Sequence, residues 1–522
     1  MRQLRPVLTA ISAGSAMVVL LGGCAPWLAA NPQFATDGAT NPGAVPVTSA
    51  DPGGPPAIAA PKNDLVWKDC TGKMFGDAGT SPVPGVVLDC ADYDADLDPV
   101  AGATGTLTIG AVRARSVQTP PDAGPLVFTT GSDLPSSLEL PVWLSRSGAD
   151  VLKSNPIVAV DRRGMGLSSP IYCRDDYDRQ EMREQAQFQS GDDPVANLGT
   201  ITMTATTDCT DAIAPGASAY DNARAAEDLE RLRSTWDVPA LALIGIGNGA
   251  QVALAYAGSH PEKVARLVLD SPVPPGVGAE AAADEKVKAQ QSALEAFATQ
   301  CLAVNCALGP DPRGAVDALM AAARAGRGPG GISAAVLANA IITALAYPSG
   351  DRIGSTVKLA EALADARAGD TNQLNSLANR AEALRGTDGQ FVNDCSDALN
   401  RPTPDRVREL VVAWGKQYPQ FGTVGALNLV KCLNWPSGAA PKDPADLGVD
   451  VLLLGVQNDP IAGGQGVAAM AATVINAGAT SRRVMWQGTG HGAIVYSACA
   501  LPPVLGYLES GEVPPTDTFC PA

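Results

Sequence analysis

The stretch Ala240-Leu241-Ala242-Leu243-Ile244-Gly245-Ile246-Gly247-Asn248-Gly249-Ala250-Gln251-Val252-Ala253-Leu254-Ala255-Tyr256-Ala257 decides how this chain is read. Residues 240–244 are an apolar run of the kind that builds a buried strand. Residues 245–249 form a glycine-rich turn, and residues 250–257 have the composition of a helix. Strand, sharp turn and helix are the setting of a nucleophile elbow, whose pattern is G-x-S-x-G. Gly245 and Gly249 stand in frame and let the helix pack tightly back on its strand. The central position, where the pattern carries serine, is Gly247.

Outward from this turn the chain alternates strands and helices. Residues 86–88 and the alternating Leu107, Ile109 and Ala111 predict antiparallel strands. Apolar runs at 126–130, 157–161 and 264–269 predict buried strands, and 223–236 has helical spacing through Ala226, Leu229 and Leu232. The pattern resumes with runs at 449–454 and 483–486. Such alternation predicts an α/β fold with a mostly parallel sheet and helices on both faces. Between residues 276 and 446 the chain is Ala-rich and helical without strand alternation, which predicts an inserted helical cap. The core then occupies 62–275 and 447–522.

The first residues read as an export signal. Arg2 and Arg5 precede an apolar stretch at 7–21, and Leu21-Gly22-Gly23-Cys24 resembles a bacterial lipobox. This predicts a signal peptide over 1–23, a lipidated Cys24 and a flexible tether over 24–61 that is rich in Ala, Pro, Gly and Asn. The expected location is the outer face of the cell membrane as an envelope lipoprotein, either anchored or released. A net charge of -17 on 522 residues disfavours nucleic acid and anionic lipid as partners, so the membrane is met only through Cys24. Hydrophobic residues at 46% with 17% charged residues indicate a globular chain. Setting Cys24 aside leaves an even number of the 11 cysteines, which in an oxidising compartment reads as disulfides. Proximity in sequence suggests Cys70–Cys90, Cys173–Cys209, Cys301–Cys306, Cys395–Cys432 and Cys499–Cys520, although sequence leaves the connectivity open. A zinc site is disfavoured, because the 2 histidines are His260 and His491 and no paired C-x-x-C spacing occurs. No metal or cofactor is expected.

Serine hydrolysis needs a nucleophile, a base and an acid that orients the base. In elbow enzymes they follow one another as Ser, then Asp or Glu, then His. Here that order runs position 247, Asp459, His491. Asp459 follows the apolar run 451–455, and His491 lies between Gly490 and Gly492 after the next strand. The oxyanion hole needs backbone N–H groups, expected from Asn248 and from Gly131 in the loop Gly131-Ser132-Asp133-Leu134-Pro135. That loop lacks a glycine run, and Asp133 brings negative charge towards an oxyanion if it points inward. Ser271 and Ser132 are the weak substitute nucleophiles. Arg162 and Arg163 read as braces for the turn after their strand, and His260 as a helix-end residue.

Together these pieces resemble the secreted tripeptidyl-aminopeptidase-like branch of the α/β-hydrolases, from about residue 67 to residue 520. The resemblance rests on Trp67-x-x-Cys70, on 161–168 (Asp-Arg-Arg-Gly-Met-Gly-Leu-Ser), and on the elbow preceded by Glu227-Asp228-Leu229-Glu230. It continues through Leu267-Val268-Leu269-Asp270, Cys432-x-x-Trp435, Asp459-Pro460, Gly490-His491-Gly492 and Tyr507-Leu508-x-x-Gly511. It implies a serine exopeptidase, or a related ester or amide hydrolase, with a cap over its site and with Asp459 and His491 as acid and base. Gly247 and the loop 131–135 depart from the family pattern, and both departures fall on chemistry. The expectation is therefore a catalytically impaired pseudohydrolase that binds a small peptide or ester-like ligand or a partner. The alternative is an active hydrolase that uses Asp459 and His491 with water or with a serine outside the elbow.

Overall fold

The apolar runs without alternation are strands buried on both faces, and they form the middle of one sheet. The computed structural model describes residues 55–98, 101–186, 191–436 and 438–522. The signal peptide over 1–23, Cys24 and the tether up to residue 54 lie outside the described residues. The strands are β1 (Lys68–Asp69), β2 (Val86–Asp98), β3 (Ala103–Ser116), β4 (Leu126–Thr129), β5 (Ile157–Val160), β6 (Leu241–Ile246), β7 (Val264–Asp270), β8 (Val451–Asn458), β9 (Ser481–Thr489) and β10 (Thr518–Cys520). Their order is β1-β2-β3-β5-β4-β6-β7-β8-β9-β10. β1, β2, β3 and β5 pair antiparallel, as expected for the alternating segment, and every neighbour from β5 through β4 to β10 is parallel.

Side chains along the parallel strands alternate between two cores. Phe128, Ile244, Leu452 and Leu454 face the helices Ser136–Leu144 and Leu501–Ser510. Val127, Leu243, Leu267 and Leu453 face the helices Asn222–Trp236, Asn248–Ser259 and Gly466–Asn476. Helices therefore cover both faces of the sheet.

From Ala279 to Cys432 the described chain is helical, and these helices enclose a third core containing Leu294, Phe297, Leu337, Ile341, Leu363 and Phe421. The helices Asp176–Glu184 and Pro194–Ala212 join it through Met182, Val195 and Leu198, although they arise between β5 and β6. Their apolar spacing marks a buried face but not the layer that buries it. All five disulfides, Cys70–Cys90, Cys173–Cys209, Cys301–Cys306, Cys395–Cys432 and Cys499–Cys520, are present.

Candidate active site

β6 ends at Ile246, and Gly247 turns the chain into the helix Asn248–Ser259 with φ 58° and ψ -118°. An L side chain there costs about 1–3 kcal/mol. The Gly247 N–H donates to the Asp270 carbonyl at 2.9 Å, which fixes the turn against β7. At Gly249 a Cβ would run into the Thr129 carbonyl and lie 2.9 Å from the Gly131 nitrogen, so only glycine permits this approach of helix to strand. The outer glycines of the elbow thus serve packing, and the central one allows the turn.

Asp459, just past β8, accepts the Ile461 and Ala462 N–H groups at 2.9 and 3.0 Å. Its Oδ2 lies 2.9 Å from His491 Nδ1, so the acid and the histidine meet as their placement after successive strands implied. The histidine loop is clamped from below. Asp270 accepts the Ala493 and Ile494 N–H groups at 2.9 and 2.7 Å, and Ser271 Oγ accepts that of Gly492 at 3.1 Å. Burial pushes the Asp270 carboxyl up to about 6, even with these donors opposing it. From above, the Ala346 carbonyl takes the His491 N–H at 2.9 Å, and the Tyr347 ring meets the imidazole edge-on at 5.8 Å. His491 is 3% exposed and Asp459 1%.

The other side of the imidazole holds a carboxylate. Asp133 Oδ2 lies 3.3 Å from His491 Nε2, an ion-pair distance without hydrogen-bond geometry. The same oxygen accepts the Asn248 N–H at 2.6 Å. A Cβ added at Gly247 would overlap Asp133 Oδ2 and lie 2.6 Å from His491 Nε2. Asp133 therefore fills the space in front of the elbow. Burial raises its carboxyl, but His491, Lys286 and the Asn248 N–H outweigh that and hold it below the usual range. Burial also pushes the imidazole down, but Asp459 first and then Asp133 push it up further, to about 10.

The expected oxyanion hole is therefore not open. The Asn248 N–H is taken by Asp133, and the Gly131 N–H donates to Thr129 Oγ1 at 3.2 Å. Gly131 thus does not offer the donor expected of it, because its loop folds back on β4. Ser132 donates its N–H to Asn248 Oδ1 at 3.0 Å and its hydroxyl to Asp394 at 2.8 Å. Neither Ser132 nor Ser271 is hydrogen-bonded to His491; Ser271 Oγ donates to Asp270 at 3.2 Å. Arg162 bonds Asn248 Oδ1, Asn222 Oδ1 and the Tyr220 carbonyl, and Arg163 pairs with Asp228 at 2.5 Å, so both brace the turn. His260 Nε2 meets Glu227 at 3.0 Å at the end of the elbow helix.

A cavity of about 370 Å³ lies between the sheet and the cap. Asp133, Ser132 and Asn248 line it, whereas Gly247 and His491 sit behind Asp133 and do not. Sequence reasoning singled out Asp133 only as a charge out of place in a loop expected to be glycine-rich. It missed the polar cap residues of the cavity, Lys286, Arg385, Asp394 and Lys431, which belong to no motif.

Two family models match this sequence: α/β-hydrolase fold over residues 141–311 and TAP-like protein over residues 418–520. The chain is a TAP-like α/β-hydrolase. The first match runs through β5, the elbow and β7, and the second carries Asp459 and His491. This TAP-like hydrolase is similar to serine protease Hip1 of Mycobacterium bovis and of Mycobacterium tuberculosis, 29% identical over 164 residues. That match covers 31% of this chain and 32% of each relative, so it spans about a third of the relatives' length. Among solved structures, esterase E22 is 11% identical, with 81% of this chain and 99% of that one covered at a TM-score of 0.42. Esterase RhEst1 from Rhodococcus sp. is 17% identical, with 81% and 99% covered at a TM-score of 0.38. No helix among the described residues is long and apolar enough to cross a membrane.

Proposed function

We propose that this TAP-like hydrolase is an exported, lipid-anchored pseudohydrolase. In this reading it keeps the fold and the Asp459–His491 pair, is silent in acyl transfer, and binds a small ligand in the cavity under its cap. One observation carries the proposal. The Asp133 carboxylate occupies the space a side chain at position 247 would need, and it holds the Asn248 N–H at 2.6 Å. Acyl transfer requires an activated nucleophile and an empty oxyanion hole. Gly247 supplies no side-chain oxygen, and a carboxylate already sits where negative charge has to develop. The imidazole is a third obstacle, because with its proton held up to about 10 it has no free lone pair at neutral pH to act as a base.

The test is a fluorophosphonate probe on the intact exported protein, read by whole-protein mass. No adduct is expected. An adduct mapped to Ser132, Ser271 or any other serine would overturn the reading. The intact Asp459–His491 bond favours one rival, direct water attack by a deprotonated His491. Under that rival, ester hydrolysis rises with pH towards 10 and disappears in His491→Ala. Under the pseudohydrolase reading, the wild type and His491→Ala give the same background rate throughout. The anchor is a separate part of the proposal and rests on Leu21-Gly22-Gly23-Cys24.

A further inference from the structure

The cavity under the cap carries more positive charge than its own acids neutralise. Arg174 donates to Asp388 at 2.8 Å, Arg179 lies 3.6 Å from the same carboxylate, and Arg183 lies 3.7 Å from Glu382. On the acidic side Asp397 pairs with Arg162 at 2.8 Å and Asp133 with His491. The Lys286 charge helps to hold the Asp133 carboxyl down, while burial raises that of Asp394 despite Lys286 opposing it. Arg385 and Lys431 line the same cavity and, like Lys286, make no side-chain hydrogen bond or ion pair among the described residues. Burial first, then Arg174, pushes the Lys431 amine down to about 8; the Asp394 carboxylate opposes this, and Arg385 adds a smaller push in the same downward direction.

Cations without a carboxylate partner at the wall of a buried cavity are unfavourable until an anion joins them. The rest of the wall mixes polar groups, among them Asn222, Gln251, Asn339 and Gln390, with apolar ones. Val287, Val336, Ala378, Phe391 and Leu429 face the same space. At about 370 Å³ the cavity falls within the usual range for small organic ligands. Cations together with aliphatic and aromatic side chains in one cavity suit a ligand with a charged head and an apolar body. Inorganic anions satisfy only the first half of that wall.

We propose that the cap cavity binds an organic carboxylate, with its carboxylate head between Arg385 and Lys431 and its apolar chain against Val287, Val336 and Phe391. This rests on the ligand-binding reading above and names the class of ligand. No covalent step is involved. The cavity side of Asp133 presents a further negative charge, so the head points away from the elbow and the ligand is not poised for hydrolysis.

The experiment is calorimetric titration of the full exported protein with octanoate, below its micellar range, against two controls. 1-Octanol keeps the chain without the charge, and inorganic phosphate keeps charge without the chain. Octanoate is expected to bind at least tenfold more tightly than either. Lys431→Met and Arg385→Met, which keep the stem and remove the charge, are each expected to weaken octanoate at least tenfold and to leave 1-octanol unchanged. Val336→Trp, which fills the apolar side and keeps both cations, is expected to abolish octanoate binding. It keeps the test decisive if a charge variant fails to fold. Equal affinity for octanoate and 1-octanol, phosphate binding as tight as octanoate, no octanoate binding, or indifference to Lys431→Met would each overturn the proposal. Failure here is distinct from failure of the pseudohydrolase reading. Octanoate binding with fluorophosphonate labelling refutes only catalytic silence, and neither binding nor labelling refutes only the carboxylate site.

Discussion

Restoring a serine at position 247 should not restore the chemistry, because the obstacle lies across the pocket in Asp133. In Gly247→Ser the new Cβ overlaps Asp133 Oδ2 and lies 2.6 Å from His491 Nε2, so the carboxylate has to move before the hydroxyl can fit. Moving it breaks the 2.6 Å hydrogen bond from the Asn248 N–H. A hydrogen bond to a charged group contributes about 1.5–3 kcal/mol. At about 1.36 kcal/mol per decade, that is a factor of roughly 10–150 in rate. If the carboxylate stays, the oxyanion hole lacks its main donor, which costs about 10²–10³. Gly247→Ser combined with Asp133→Gly removes both obstacles and releases His491 from one of the charges that hold its proton. The assay is the second-order rate of fluorophosphonate labelling by intact mass. The single variant should label at least about 100-fold more slowly than the double variant, and adding His491→Ala to the double variant should return it to background. Equal rates for the single and double variants would refute the assignment of Asp133 as the block.

The chain has only 2 histidines, so the imidazole resonances of His491 can be followed directly by NMR. Its proton should persist up to about pH 10, and Asp133→Asn should lower that titration point. The linked stability has a defined sign. The folded value lies above the ordinary 6.5, so the contribution is fully present below pH 6.5 and is lost as pH rises through 10; in Asp133→Asn the loss between those limits should shrink, as urea melts at stepped pH will show. Replacing both Cys395 and Cys432 with alanine opens a loop with a sequence separation of 37. Denaturant melts should then lose about 4 kcal/mol by the chain-entropy relation; a loss below about 1 kcal/mol would show that the cap does not depend on this link. Asp228→Ala leaves the fully buried Arg163 guanidinium without its carboxylate and should destabilise by about 3–5 kcal/mol in the same melts. Cys24→Ala should abolish incorporation of labelled fatty acid and shift the protein out of the membrane fraction.

The sheet was legible in the sequence because parallel strands buried on both faces read as unbroken apolar runs. The runs at 126–130, 157–161 and 264–269 became β4, β5 and β7 within a residue or so. Asp459 and His491 were legible for a related reason. Each stands in the short loop after a parallel strand, β8 for Asp459 and β9 for His491, and the two strands are neighbours in the sheet. Gly245 and Gly249 were readable because a close approach of backbone to backbone excludes every other residue. What the sequence did not determine are contacts between segments far apart in the chain. Nothing local told whether Asp133 faces solvent or His491, since that depends on how the loop 131–135 folds back on β4 and the elbow. Nothing local tied the helices at 176–184 and 194–212 to the cap, since an apolar stripe does not name the surface that covers it. The cations of the cavity come from four separate segments, around residues 179, 286, 385 and 431, and their charges gain meaning only where packing brings them to one cavity with too few carboxylates to balance them. Covalent pattern and local burial carry the scaffold, while the electrostatics of the site arise from long-range packing.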